Sequence, residues 1–115
     1  MQINKDAKLL RIFIGESDRI KGRSVYEEIV LKAREAGLAG ATVIKGVMGF
    51  GANSKIHTSK LLTLSEDLPL IIEIVDELEK IEKFIPTINE IFENANIGGL
   101  VTIEKAEVIK YISRK

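Results

Sequence analysis

The sequence predicts an α+β domain of ferredoxin-like topology, a βαββαβ chain whose four-stranded antiparallel sheet carries two helices on one face. Three observations predict it. Two strand–helix–strand passages follow one another along the chain. Its 115 residues suit a single hydrophobic core, so residues 1–115 read as one domain. Finally, the strands are apolar on both alternations: Leu10, Ile12 and Ile14 point one way, Leu9 and Phe13 the other. Two helices cover one face of such a sheet, and no further helix is available for the second. An uncovered apolar face of this size marks an interface, so a homo-oligomer of closed cyclic symmetry is expected.

Residues 8–15, KLLRIFIG, form a short β-branched and apolar run ended by glycine, the first strand. In the charged stretch that follows, Ser24 with Glu27 makes a capping box before Val25, Ile29, Ala33 and Ala36 at helical spacing, and Gly37 stands where a left-handed cap ends the helix. A second β-rich run, GATVIKGVM, starts at Gly40. The third is Leu70–Val75, beyond Pro69, which cannot donate to a ladder. Asp76 with Glu79 repeats the capping signature, and Leu78, Ile81, Ile85, Ile88 and Phe92 make an amphipathic helix. Pro86 predicts a kink or a break near Phe84. After NIGG, a last β-rich run extends from Leu100 to Ile112, with a bend or bulge at Glu104–Lys105.

Composition narrows the function classes. Lysine plus arginine and aspartate plus glutamate both number 17, so no net field favours a polyanion and nucleic acid is not an expected partner. Absence of cysteine excludes disulfides and thiolate metal sites. No signal-like or membrane-spanning apolar run is present, so a soluble, cytoplasmic protein is expected. Eighteen isoleucines with abundant Lys and Glu and no Trp resemble thermophile usage. One histidine and no cysteine assemble no Ser-His-Asp or Cys-His set, so an enzyme is not expected.

Chemistry concentrates in GVMGFGANSKIHTSK, Gly46–Lys60. Its glycines permit a long excursion between strands. Alternatively, amides near Gly49 and Gly51 approach a phosphate with Lys55 and Lys60 supplying charge, although the full GxxxxGK[ST] grammar is missing. A metal at His57 would need acidic partners such as Glu66 and Asp67, since three or four protein ligands are required and no second His exists. NIGG, Asn96–Gly99, reads as a turn with Gly98 as helix cap and Gly99 as strand entry, or as a second phosphate-approaching turn.

These residues carry a family resemblance. The order Thr42-Val43, Gly49-Phe50-Gly51, His57-Thr58 is similar to the second strand and T-loop of PII signalling proteins. The run from GESDRIKGRSVYEEIVLKAREAGLAGATV through LSEDLPLIIEIVDE to GLVTIEKAEVIKYI resembles the PII-like branch long catalogued as a domain of unknown function. The resemblance implies a homotrimer with sheets facing inward and an adenine nucleotide (ADP, ATP or AMP) bound as effector between subunits, with no tightly bound cofactor. It implies nucleotide contacts at Thr42, Gly49, Phe50, Gly51, Gly98, Gly99 and Lys110. It also implies a T-loop of about 46–61 whose Asn53, Ser54, Lys55 and His57 meet a partner, a membrane transport protein being the class suggested. Leu100 replaces the lysine ending the PII GDGK motif, and Lys110 is offset by one from the phosphate-binding arginine, which weakens the expected preference for a triphosphate.

Two other classes share this topology. A trimeric divalent-cation tolerance protein would use His57 and the acidic loop residues as ligands. An acylphosphatase-like hydrolase would cradle an anion with Arg19 or Arg23 near Gly22, although the asparagine expected on the neighbouring strand is missing and Asn53 lies in the loop instead. The plainer reading of that loop is solvated arginines paired with Glu16 and Asp18. Glu73 inside LIIEIV requires a partner if buried, a neighbouring subunit's cation being the simplest.

Overall fold

A computed structural model describes residues 6–51, 57–58 and 67–114. Its main sheet is built from β1 (Ala7–Gly15), β4 (Thr42–Lys45), β7 (Pro69–Glu77) and β8 (Leu100–Lys105) in the order β4-β7-β1-β8, every neighbouring pair antiparallel. Two-residue strands make up the rest: β2 (Arg19–Ile20) with β3 (Arg23–Ser24), and β5 (Met48–Gly49) with β6 (His57–Thr58). The helices α1 (Val25–Glu35) and α2 (Leu78–Ala95) lie between the strands of each half. This is the expected ferredoxin-like arrangement.

The period-two pattern decides which face is covered. Leu10, Ile12 and Ile14 of β1 and Leu70, Ile72 and Ile74 of β7 join Val25, Ile29 and Ala33 of α1 and Ile81, Phe84, Ile88 and Ile91 of α2 in one buried cluster. The alternate residues face the other way, and pairing arranges them in rows. Ile44, Ile71, Phe13 and Leu100 make an apolar row; Thr42, Glu73, Arg11 and Thr102 make a polar one; Val75, Leu9 and Glu104 follow. None of the described residues covers this face with a helix, and Leu100 is 55% exposed.

Several boundaries differ from the sequence expectation. The helix α2 is continuous through Pro86, so of the kink or break expected near Phe84 the break does not occur. Proline costs a helix the bond its N–H would make to the carbonyl four residues back, here that of Glu82, an exposed residue on the outer side of the helix. The run after NIGG leaves the sheet at Lys105, seven residues before Ile112, and Glu104 and Lys105 pair in register with Leu9 and Lys8 without a bulge. The run begun at Gly40 is a strand only over Thr42–Lys45, interrupted before the short β5.

Both capping boxes are absent as written. Ser24 is the N-cap of α1 without a side-chain cap bond, because its hydroxyl accepts from the Arg19 guanidinium at 3.0 Å. Glu77, not Asp76, is the N-cap of α2, and Asp76 is the last buried residue of β7. At the C-termini, Gly37 does occupy the left-handed position after α1 (φ 76°), but after α2 that position belongs to Asn96 (φ 53°) rather than Gly98. Asn tolerates it because its short polar side chain bonds locally.

Replacing Pro86 by Ala restores one helical bond without disturbing the core, since position 86 is exposed. Pro86→Ala is expected to stabilise the fold by about 1–3 kcal/mol in urea unfolding at constant m-value.

Candidate functional site

A cleft of about 320 Å³ opens beside the start of β4, lined by Ala39, Gly40, Ala41, Thr42, Glu73, Val75, Val108, Lys110 and Tyr111. Its walls come from distant parts of the chain. The connection after α1 supplies Ala39–Ala41, the exposed face of β7 supplies Glu73 and Val75, and the segment beyond β8 returns over the sheet to supply the rest. Two expected nucleotide contacts, Thr42 and Lys110, meet here although 68 positions separate them in the chain.

Glu73, Tyr111, Asp76 and Ala39 were not among the expected site residues. Glu73 stands in the cleft wall and finds its partner within the chain: Arg11 Nε donates to Glu73 Oε2 at 2.9 Å, while Arg11 Nη1 donates to Glu104 Oε2 at 2.8 Å. The expectation of a neighbouring subunit's cation is therefore corrected. The hydrogen bond to Glu73, with the nearby Glu104 charge, raises the Arg11 guanidinium above its ordinary value against the opposing effect of burial. An acid in the middle of an apolar strand was the sequence signal for Glu73; the pairing of Tyr111 with Ala39, 72 positions away, had none.

The remaining expected contacts lie elsewhere. Gly49 stands in β5, where an added Cβ would come 3.2 Å from the Pro69 side chain. Phe50 is 69% exposed, and Gly51 has open space around it. At the opposite edge Gly99 is required by close approach: a Cβ would come 2.5 Å from the Phe13 carbonyl oxygen and 2.8 Å from the Phe92 ring, whereas Gly98 is open. Both glycine clusters sit at the same end of the sheet, beside Lys45–Pro69 and beside Phe13, but on edges three strand spacings, roughly 14 Å, apart. One chain does not bring them together. Asn53, Ser54 and Lys55 lie outside the described residues, and of His57 only the backbone, paired with Gly49, is described.

The turn after β1 staples both ends of the segment that contains them. Lys45 Nζ meets Glu16 Oε2 at 2.8 Å and Gly46 N–H donates to the Pro69 carbonyl at 2.7 Å. From the other end, Ser17 N–H donates to Asp67 Oδ1 and Glu16 N–H to the Leu68 carbonyl, each at 2.8 Å. The arginines of the next stretch are also engaged. Arg19 binds Ser24, and Arg23 binds Glu28 rather than the expected Glu16 or Asp18. Lys21 and Gly22, both at positive φ (48° and 82°), make the tight turn between β2 and β3. Among the described residues, no group of three or more His, Cys, Asp or Glu side chains is arranged to hold a metal.

A four-stranded antiparallel sheet with two helices on one face is the ferredoxin-like fold that PII-like proteins share. CPII, a nitrogen regulatory PII-like protein of Thiomonas intermedia K12 solved with ADP, AMP and bicarbonate, is similar with a TM-score of 0.68 at 19% identity, covering 90% of this chain and 89% of CPII. The divalent ion tolerance protein CutA1 of Ehrlichia chaffeensis shares the fold at TM-score 0.61 and 11% identity, over 92% of this chain and 86% of that one. In sequence, a UPF0166 protein of Aquifex aeolicus (strain VF5) is 40% identical over 102 residues, 89% of this chain and 92% of the relative. The chain belongs to the DUF190 family, described as Uncharacterized ACR, COG1993, which matches residues 7–108.

The Asp18 carboxyl carries a pH prediction. Burial pushes it above the ordinary carboxylate range, the Gly15 N–H opposes this, and the Asp67 charge adds to it. A carboxyl whose folded value is raised favours the fold most when protonated, and that contribution is lost as pH rises through the folded value. Asp18→Asn keeps an acceptor for Gly15 N–H, which the wild type holds at 2.9 Å. Its melting temperature should equal or exceed the wild type's at pH 7, with the advantage disappearing by pH 3, as thermal scans at both pH values will read.

Proposed function

We propose that this protein is a PII-like regulator. It assembles as a homotrimer through the bare sheet face, binds an adenine nucleotide at the subunit boundary, and changes its affinity for a partner through the segment of about 46–61. The observation that carries this reading is the meeting of Thr42 and Lys110 in one cleft beside the β4 edge. That cleft offers a hydroxyl, the Glu73 carboxylate and a cation across a small space, which suits a ligand with hydroxyl or amine donors at one end and negative charge at the other.

Topology supports the subunit boundary. The strands β4 and β8 are the two edges of the sheet, each with its glycine cluster at the same end. A neighbouring copy that brings its β8 edge to this copy's β4 edge closes the roughly 14 Å gap between the clusters. Gly98 and Gly99 of one copy then come beside Gly49, Phe50 and Gly51 of the other, at the end of the same subunit boundary beyond the Thr42–Lys110 cleft. The ligands held by CPII, ADP and AMP, agree with this choice of nucleotide. Regulation follows from differential binding: a nucleotide that prefers one arrangement of the loop shifts the population a partner meets. A membrane transport protein is the partner class suggested by the resemblance.

Calorimetric titration of the metal-free protein with ADP, ATP, AMP and a divalent cation tests the reading. ADP should bind the wild type, and Lys110→Ala should weaken it about tenfold or more, the cost of one charge-assisted hydrogen bond. Micromolar cation binding without any nucleotide binding would overturn it in favour of the tolerance-protein reading.

A further inference from the structure

Ala39 is held from two sides. Its N–H donates to Asp76 Oδ2 at 2.9 Å, and its carbonyl accepts from the Tyr111 hydroxyl at 2.6 Å. Those two bonds fix the peptide planes before and after its Cα, so the first residue of the cleft wall has little freedom left. Asp76 is 1% exposed, and its second oxygen accepts from Glu77 N–H at 2.7 Å. A buried carboxylate that accepts two backbone amides is a rigid anchor, because charge-assisted bonds are short and roughly twice as strong as neutral ones. Here it ties the start of α2 to a connection 37 positions earlier.

The other half of the grip comes from the segment beyond β8. It leaves the sheet with Ala106 N–H on the Ala7 carbonyl at 3.0 Å, and its next hydrogen bond among the described residues is at the Tyr111 side chain. Between the β8 and β4 edges lie three strand spacings, roughly 14 Å. Five residues of extended chain reach about 17 Å, so a segment of this length crosses the sheet only when drawn out. Val108 turns into the cleft, while Ile109 is 88% exposed. Among the described residues, the crossing segment is therefore hydrogen-bonded at its two ends. Its far end is a single phenolic hydroxyl.

We propose that Asp76 and Tyr111 are positioning residues that clamp Ala39 between them, making the protein's own C-terminal segment a latched strap that fixes the cleft's shape and opens it on release. The clamp rests on geometry within one chain; only the identity of the ligand rests on the nucleotide reading above. Asp76 sets where Ala39 sits, and Tyr111 reads that position. Releasing either side frees the strap.

Hydrogen exchange of the full chain without nucleotide tests the clamp, and ADP titration of the same samples tests its bearing on the site. In Tyr111→Phe, which removes one oxygen from a half-exposed ring, the Ala39 amide, bonded to Asp76 in the clamp, should exchange about two- to tenfold faster, the equivalent of one neutral hydrogen bond, while those of α2 are unchanged. Asp76→Asn leaves one of the two amides without its acceptor and should also speed tryptic cleavage after Lys110 about two- to tenfold; unchanged cleavage there would overturn the coupling. ADP affinity in Tyr111→Phe should fall by a similar two- to tenfold factor. Unchanged exchange in Tyr111→Phe overturns the clamp. Faster exchange with unchanged ADP affinity overturns its role in the site and leaves the nucleotide reading intact. Faster exchange with no ADP binding by the wild type overturns the nucleotide reading and leaves the clamp standing.

Discussion

The sheet buries one face under two helices and leaves the other with only the segment beyond β8 returning over part of it, and the proposed assembly depends on that asymmetry. On the covered side, the alternate residues of β1 and β7 meet both helices in a continuous core of Ile, Leu, Val and Phe. On the bare side, Leu9, Phe13, Ile71, Val75, Ile44 and Leu100 present apolar surface with none of the described helices above it. Apolar area left in water is worth about 25 cal/mol per Å² once covered, so a face of this kind is a strong driving force for association. Everything proposed at the edges of the sheet assumes that force is used.

The bare face is not uniform. Its middle row holds Arg11 between Glu73 and Glu104, with Thr42 and Thr102 at the ends. In water such exposed pairs contribute little, and the row matters less for the stability of one chain than the core beneath it. Covered by another copy, the same row is desolvated, and only a register that keeps its hydrogen bonds avoids the penalty. Apolar rows then supply the attraction and the polar row selects the alignment. Glu73 belongs to this row and to the cleft wall alike, so under the proposed assembly the alignment of copies would bear on what the cleft presents.

Much of the fold was legible in the sequence. Alternation in KLLRIFIG and LIIEIV marked the two central strands, and helical spacing marked α1 and α2, because period and burial are coupled by backbone geometry alone. What was not legible depended on contacts across the chain. Pro86 lies on the exposed side of α2, as does Glu82 one turn before it, and the β-rich residues after Lys105 leave the sheet and return over its helix-free face instead of lengthening β8. Asp76 looked like a helix cap, yet it reaches back to Ala39, a choice no local pattern encodes. The site divides in the same way. Thr42 and Lys110 were named by resemblance and line one cleft, whereas Glu73 and Tyr111 acquire their place there only through tertiary pairing.

Sedimentation equilibrium of the wild type at low micromolar concentration tests the central claim most directly. If the bare face is the assembly surface, the mass will be three times that of the 12.8 kDa chain, and Phe13→Glu, which puts a charge in the apolar row, will lower it toward one. A wild type that sediments as a single chain across that range would contradict the account.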